Sequence, residues 1–289
     1  MARIGTVASR VEQLLGTPVV ATVPVAGGDI CTATRVRLPD GRSVLVKTRP
    51  HAPADFFAAE AAGLRWLAES DGAGVPRVLA VDEDCLVLAW LEPGRPSAET
   101  AEQLGRDLAA THGVAADRFG GPGTEQSGYI GTLPMPNRSQ PSWPEFYATR
   151  RVLPYLKLAR DRAAITAEDA DDVEAVLHRI VDLAGPDEPP ARLHGDLWSG
   201  NLIWGADGRP YLVDPAAYAG HRETDLAMLA LFGCPHLPRV LDAYRETSPL
   251  ADGWADRVPL HQLFPLLVHA AMFGGGYGTR AGEAARRLL

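Results

Sequence analysis

The stretch Leu193-His194-Gly195-Asp196-Leu197-Trp198-Ser199-Gly200-Asn201-Leu202 places an aspartate on a short glycine-flanked loop and an asparagine five residues later. Asp214 follows thirteen residues after that asparagine, at the end of the apolar run Tyr211-Leu212-Val213. In phosphoryl transfer, one carboxylate accepts the proton of the acceptor hydroxyl, while an amide oxygen and a second carboxylate hold magnesium on the ATP phosphates. The spacing therefore predicts a kinase for a small hydroxylated substrate, with Asp196 as base and Asn201 and Asp214 as Mg²⁺ ligands.

The composition is that of an ordinary globular protein. The 289 residues are 46% apolar and 22% charged, enough to bury a large core in one domain or in two lobes. The net charge of −8 argues against a nucleic-acid-binding protein, which usually carries a basic surplus. This charge would suit a cationic substrate, although solubility alone explains a surface of this sign.

The cysteines and the apolar segments bear on the compartment. Three widely spaced cysteines fit no metal-binding pattern, and an odd, sparse count indicates a reducing environment. No apolar run is long enough to span a membrane, and the N-terminal segment around Glu12 lacks the continuous apolar core of a signal peptide. We therefore expect a cytoplasmic protein without a membrane or nucleic-acid partner. The sequence leaves the oligomeric state open.

Glycine and proline divide the chain into two predicted lobes. Residues 1–91 are expected to form a small β-rich lobe with one long internal helix at 56–69, because apolar strand patterns flank a helical one. The segment Glu92-Pro93-Gly94-Arg95-Pro96 then interrupts regular structure. Residues 92–289 are expected to be mostly helical, with a hairpin at 202–213 and a long loop at 120–144. The predicted fold is a two-lobed α+β protein that binds ATP and Mg²⁺ in the cleft.

Four residues of the small lobe are candidates for binding phosphates. Gly27 and Gly28 form a turn that would let backbone N–H groups approach phosphates closely, although such a pair is often only a hairpin turn. Lys47 ends an apolar strand, and Glu60 follows thirteen residues later inside the predicted helix. A strand lysine paired with a helix glutamate orients the α- and β-phosphates in kinases. A solvated lysine at the rim of the lobe is the plain alternative.

The motifs resemble those of the fructosamine kinase (ketosamine 3-kinase) family, which belongs with the aminoglycoside phosphotransferases in the protein-kinase-like fold. The aspartate–asparagine spacing marks that whole superfamily, whereas the Trp198-Ser199 pair is narrower. The resemblance covers nearly the full chain. Its further motifs are Asp214-Pro215-Ala216, Gly220-His221, Glu223, Gly128-Tyr129-Ile130-Gly131 and Trp143-Pro144-Glu145-Phe146-Tyr147.

The resemblance implies a substrate and a nucleotide site. Family members phosphorylate the 3-hydroxyl of a ketosamine, the adduct of a sugar on an amine, and elimination of the phosphate then frees the amine. The implied activity is deglycation of a fructosamine, ribulosamine or erythrulosamine, either small or protein-linked. The backbone of Ala89, Trp90 and Leu91 would form the hinge that binds adenine. Some members carry a cysteine at the place of Ile30, whereas here Cys31 comes one position later, which puts a redox role in doubt.

Other functions remain open at this stage. An aminoglycoside or other small-alcohol phosphotransferase would share most of the catalytic motif. A nucleotide-binding scaffold without catalysis is the alternative from another class, although all the residues of the phosphate and metal machinery are present.

The substrate side of the site is less determined. Trp198 could be a platform for the sugar or a packing residue, and the flanking glycines favour the platform. His221 and Glu223 could contact the substrate or brace the catalytic loop. Asp225 is expected to brace that loop by accepting hydrogen bonds from backbone N–H groups. His194, two residues before Asp196, is also expected to brace it. His261 and His269, eight residues apart in a helical pattern, lack a third metal ligand nearby in the sequence, which argues against a metal site there.

Overall fold

The small lobe is an antiparallel sheet flanked by two helices. We describe the protein from a computed structural model, which describes residues 7–26, 30–121 and 128–289. The five strands lie in the order β1-β2-β3-β5-β4, and each neighbouring pair is antiparallel. The elements are α1 (Val7–Leu15), β1 (Ala21–Val25), β2 (Thr32–Arg37), β3 (Ser43–Thr48), α2 (Phe56–Ala68), β4 (Val78–Val81) and β5 (Cys85–Ala89).

Strand β5, which lies between β3 and β4, shows why the helices lie on opposite faces of this sheet. Successive side chains of a strand point to opposite faces. Cys85 and Val87 join the core that includes Val11 of α1, whereas Leu86 and Leu88 pack with the buried residues of α2. The predicted β-rich lobe with one long helix is confirmed.

The large lobe is mostly helical, with α10 at its centre. Leu263, Phe264 and Leu267 of this helix are almost completely buried. None of the helices in the described part of the chain is both long and apolar enough to cross a membrane. The elements are α3 (Ala98–Gly113), β6 (Gly128–Ile130), β7 (Leu133–Met135), α4 (Trp143–Phe146), a π-helical turn (Tyr147–Val152), α5 (Leu153–Asp161), α6 (Ala167–His178), α7 (Ile180–Leu183), β8 (Ala191–Leu193), a 3₁₀ turn (Ser199–Asn201), β9 (Leu202–Trp204), β10 (Pro210–Leu212), β11 (Tyr218–Gly220), α8 (Glu223–Phe232), α9 (Leu237–Thr247), α10 (Trp254–Phe273) and α11 (Tyr277–Arg286).

The predicted loop at 120–144 is more ordered than expected. It contains the antiparallel pair β6–β7, while residues 122–127 lie outside the described part of the chain. Arg151 attaches the segment after β7 to the large lobe. Its guanidinium donates to the Pro136 carbonyl oxygen (2.7 Å) and to Asn137 Oδ1 (2.6 Å). The same guanidinium lies 3.8 Å from the ring centroid of Tyr218, which anchors it in the core.

Helix α2 is attached to both lobes. It packs beneath the sheet of the small lobe, and three further contacts fix it to the large lobe, so the glutamate at its centre has a defined position. These contacts join Tyr129 Oη to Asp55 Oδ1 (2.6 Å), Arg192 Nη1 to the Trp66 carbonyl oxygen, and Gly63 to Ala217.

Candidate active site

A glycine turn carries the predicted base out of strand β8. Gly195 has a φ of +82°, and a Cβ there would lie 2.1 Å from the carbonyl oxygen of Ala216. Glycine suits both this left-handed backbone and the close approach. The turn therefore places Asp196 against the segment that follows β10, where Asp214 lies.

Asp225 of α8 holds this loop from behind. Its carboxylate accepts hydrogen bonds from the backbone N–H groups of His194 (2.7 Å) and Gly195 (2.9 Å), and it lies 3.2 Å from His112 Nε2. His194 Nε2 lies 2.8 Å from the carbonyl oxygen of Val213, and burial lowers the pKa of this imidazole. The predicted bracing roles of Asp225 and His194 are confirmed by these contacts.

Asn201 orients the carboxyl group of Asp196. Its Nδ2 donates to Asp196 Oδ2 (3.0 Å) and to the Asp196 carbonyl oxygen (2.8 Å). Burial raises the pKa of Asp196 to about 7, although the hydrogen bond from Asn201 opposes this, and the charges of Asp214 and Asp225 add to the rise. A carboxyl group with a pKa near neutrality is suited to accept a proton from a substrate hydroxyl.

Asp214, one of the two predicted Mg²⁺ ligands, links the large lobe to Lys47 of the small lobe. It is a non-glycine residue with a φ of +56°, a conformation uncommon enough to mark a constrained position. Its Oδ1 accepts a hydrogen bond from Lys47 Nζ at 2.9 Å, and its side chain is 44% exposed. The Val213 N–H donates to the Asn201 carbonyl oxygen at 3.0 Å. Asn201, which precedes β9, and Asp214, which follows β10, therefore lie side by side.

Lys47 and Glu60 form the predicted ion pair. Lys47 Nζ lies 2.6 Å and 2.7 Å from the two carboxylate oxygens of Glu60, and Lys47 is only 5% exposed. Burial disfavours the ammonium, but the charges of Glu60 and Asp214 outweigh it and raise the pKa of Lys47. The lysine is therefore a fixed cation between the two lobes.

The other predicted nucleotide residues are described only in part. Gly27 and Gly28 lie outside the described residues. Ala89 ends β5, and Trp90 and Leu91 follow it in the link between the lobes. This is the position of a hinge, while adenine binding by these residues stays a prediction.

Trp198 begins a row of aromatic side chains next to the base. Half-buried, it meets Phe232 edge-on, with 6.3 Å between ring centroids. His269 lies 4.6 Å from Phe232 and 5.1 Å from Tyr277, and Phe273, 52% exposed, continues 5.6 Å from His269. We call these five residues the aromatic row. The spacing of four between His269, Phe273 and Tyr277 was its only sequence signal, and that spacing fits core packing equally well.

Glu223 lies inside the large lobe and makes the contacts of a structural ion pair. It is 3% exposed, and its two carboxylate oxygens accept hydrogen bonds from Arg257 at 2.6 Å and 3.0 Å. Burial alone would raise the pKa of Glu223, but His261 and Arg257 outweigh it and lower that pKa to about 2. The predicted substrate contact of Glu223 gains no support, because its charge is already paired inside the lobe.

His221 is likewise directed away from the base. It is 3% exposed and packs against Trp143, with 5.0 Å between ring centroids. Tyr218 pairs with Leu193 along β11 and β8, so His221 follows the end of β11 that is remote from Asp196. The bracing alternative therefore fits His221 better than substrate contact. Burial lowers its pKa to about 3, and the ring stays neutral.

A buried lysine–glutamate pair that meets the carboxylate of Asp214, together with the Asp196–Asn201 pair, is the arrangement expected of a kinase-like phosphotransferase. A solved spectinomycin phosphotransferase, in complex with ADP and spectinomycin, shares this fold with a TM-score of 0.59 at 12% identity, over 99% of this chain and 94% of its own. The family model for fructosamine kinase matches residues 4–289. The chain belongs to the fructosamine kinase family.

Individual relatives agree with this assignment. A candidate fructosamine-3-kinase from Thermobifida fusca, solved by crystallography, is 49% identical, with a TM-score of 0.93 over 98% of both chains. A probable ketoamine kinase from Thermus thermophilus is 42% identical over 88% of this chain and 89% of its own length. The predicted kinase-like fold and enzymatic class are thereby confirmed, and a non-catalytic scaffold is not supported.

Proposed function

We propose that the protein transfers the γ-phosphoryl group of ATP to the 3-hydroxyl of a ketosamine. The convergence of Lys47, Asp196, Asn201 and Asp214 in a fructosamine kinase family chain carries the proposal. The 3-phosphate is then a leaving group, and its elimination frees the amine. The activity would repair glycated amines in the cytoplasm, where ATP is supplied.

Asn201 and Asp214 offer ligand atoms that suit Mg²⁺. Asn201 uses its Nδ2 on Asp196, which leaves its Oδ1 as the ligand atom, and the partly exposed carboxylate of Asp214 lies beside it. Oxygen donors of this kind are those that Mg²⁺ prefers. When bound, the ion would neutralise charge on the β- and γ-phosphates.

The protein side chains would then act in fixed positions. Lys47, held by Glu60, would contact the α- and β-phosphates of ATP. Asp196 would orient the 3-hydroxyl and accept its proton as the oxygen bonds to the γ-phosphorus, while the bond from that phosphorus to ADP breaks. The hydrogen bond from Asn201 keeps the carboxyl group of Asp196 in place for this transfer.

The aromatic row would receive the rest of the substrate. Trp198 is next but one to the base, so its indole can cover the C–H face of the sugar. The secondary amine is cationic, and aromatic faces such as those of Phe232 and Tyr277 attract cations. The remainder of the amine, attached to this nitrogen, would extend past Phe273 into solvent, because Phe273 is the exposed end of the row.

The test is ADP release with ketosamines of four, five and six carbons attached to lysine, compared with an aminoglycoside. We expect turnover of at least one ketosamine, and a fall of roughly 10²–10⁴ in rate for Asp196→Asn. Asp242→Asn, at an exposed position of α9, is the matched control and should keep the wild-type rate. Turnover of the aminoglycoside alone, or an unchanged rate in Asp196→Asn, would contradict the proposal.

A further inference from the structure

A second cluster of ligand-type side chains lies behind the catalytic loop. The donor atoms of His221, Glu223 and His261 all lie within 4.8 Å of one another. The three residues are 3%, 3% and 0% exposed, and the phosphoryl transfer above uses none of them. The sequence offered only His269 beside His261, whereas the fold brings His221 and Glu223 to His261 from the start of α8.

His261 carries an unusual buried atom. Among the described residues, its Nε2 has no hydrogen-bond partner. Glu223 Oε2 lies only 3.2 Å away, but outside the direction of a hydrogen bond from the ring. Buried polar atoms are almost always satisfied, so an unpaired ring nitrogen aimed into a cluster of donor atoms points to a ligand.

The 3.2 Å between His261 Nε2 and Glu223 Oε2, and the outer contact of His261, resemble those of a metal site. Two ligands bound at roughly 2.0–2.2 Å to one tetrahedral ion lie roughly 3.3 Å apart and point at the ion rather than at each other. Thr224 Oγ1 lies 2.9 Å from His261 Nδ1, and a contact of this kind at the second ring nitrogen orients a metal-binding histidine and leaves its Nε2 for an ion. The Nδ1 of His221 instead accepts the Glu223 backbone N–H at 3.2 Å, so His221 has to give up this hydrogen bond when it binds the ion.

Charged side chains of both signs surround the cluster. Arg257 competes for Glu223, but it also donates to the carbonyl oxygen of Asp252 at 2.9 Å and so keeps a partner if Glu223 turns. Glu188 Oε2 lies 3.9 Å from His221 Nε2. Arg222 holds both carboxylate oxygens of Glu188, at 2.7 Å and 2.8 Å, so Glu188 adds negative charge near the cluster but no free ligand atom. Glu188 and His221 both line a cavity of about 200 Å³, which provides access for an ion.

We propose that His221, Glu223 and His261 bind a divalent transition-metal ion of the zinc type. Two imidazoles and one carboxylate are a ligand set that suits zinc, whereas Mg²⁺ prefers oxygen ligands, so this site is chemically distinct from the one proposed in the cleft. The ion would fasten α10 to the start of α8. Because Asp225 on α8 holds the catalytic loop, the ion stabilises the support of that loop.

The test is titration of the metal-stripped, full-length protein with Zn²⁺ by calorimetry, without ATP or Mg²⁺. We expect one ion per chain, and at least a tenfold weaker affinity in His261→Asn. His178→Asn, at an exposed position of α6, is the matched control and should bind like the wild type. Asp214→Asn should also bind like the wild type, because that residue belongs to the cleft.

Three results would overturn the proposal. They are an absence of stoichiometric binding, wild-type affinity in His261→Asn, and loss of binding in Asp214→Asn. If His261→Asn does not fold, zinc K-edge absorption of the wild-type complex decides, because the proposal requires two imidazole ligands and no sulfur. A spectrum with fewer imidazoles, or with a thiolate from one of the three cysteines, also counts against it.

Discussion

Asp196 combines a half-buried position with a task that requires ionisation. Burial raises its pKa to about 7, so below neutrality the carboxyl group is mostly protonated and cannot accept the hydroxyl proton. We expect kcat/KM for the ketosamine to rise about tenfold per pH unit on the acid side and to level off above about pH 8. The measurement is a pH profile at saturating ATP. A profile that stays flat well below neutrality would show that Asp196 is not the base.

The sequence predicted the residues whose spacing is itself the signal. Asp196, Asn201 and Asp214 are tied by the loop and the hairpin that carry them, and Lys47 meets Glu60 because the strand and helix are consecutive. The surroundings of Glu223 depend instead on partners more than thirty residues away, such as Arg257. No local pattern reports such a contact, which is why the sequence left both substrate contact and bracing of the catalytic loop open for Glu223.

At the scale of elements, the turn between β8 and the 3₁₀ turn depends on one glycine. A Cβ at Gly195 would lie 2.1 Å from a backbone oxygen, and its φ of +82° disfavours other residues. We expect Gly195→Ala to lower stability by at least about 2 kcal/mol and to reduce kcat, because the base is displaced. Chemical denaturation and steady-state kinetics measure both effects.

Gly113→Ala is the control for that substitution. A Cβ at Gly113 would meet nothing within 4 Å, so stability and kcat should stay close to the wild-type values. Equal effects of the two substitutions, or an unchanged kcat in Gly195→Ala, would mean that the turn does not position the base.

Elements with a clear apolar pattern were the predictable ones. The hairpin β9–β10 follows from apolar runs around a turn with Asp207 and Gly208, and α2 begins and ends within one residue of the predicted range 56–69. The pair β6–β7 was missed, because Pro134 lies inside β7 and the many glycines and prolines of this segment suggest a loop. Tertiary contacts such as those of Arg151 order this segment, and they leave no local signature.

At the scale of the whole molecule, the nucleotide should stabilise both lobes together. Lys47 comes from the small lobe and Asp214 from the large one, so a bound nucleotide bridges them. At a ligand concentration of about 100 times Kd, we expect a gain of about 2.7 kcal/mol from ADP with Mg²⁺. Thermal unfolding with ADP, in the presence of Mg²⁺ or of a chelator, measures this gain.

Asp214→Asn should remove the part of that gain that depends on Mg²⁺, since the substitution takes away an anionic ligand. Asp242→Asn, on the surface of α9, should retain it. A Mg²⁺-dependent gain that survives in Asp214→Asn would place the ion elsewhere.

The attachment of α2 to the large lobe has a consequence for control of the enzyme. Many protein kinases are silenced by moving the corresponding helix outward, which separates its glutamate from the lysine. Here Tyr129, Arg192 and Gly63 hold that helix with its glutamate against the lysine. An outward swing of α2 would break these contacts, so we expect the supply of glycated amine and the amount of enzyme made, rather than an activating signal, to set the output.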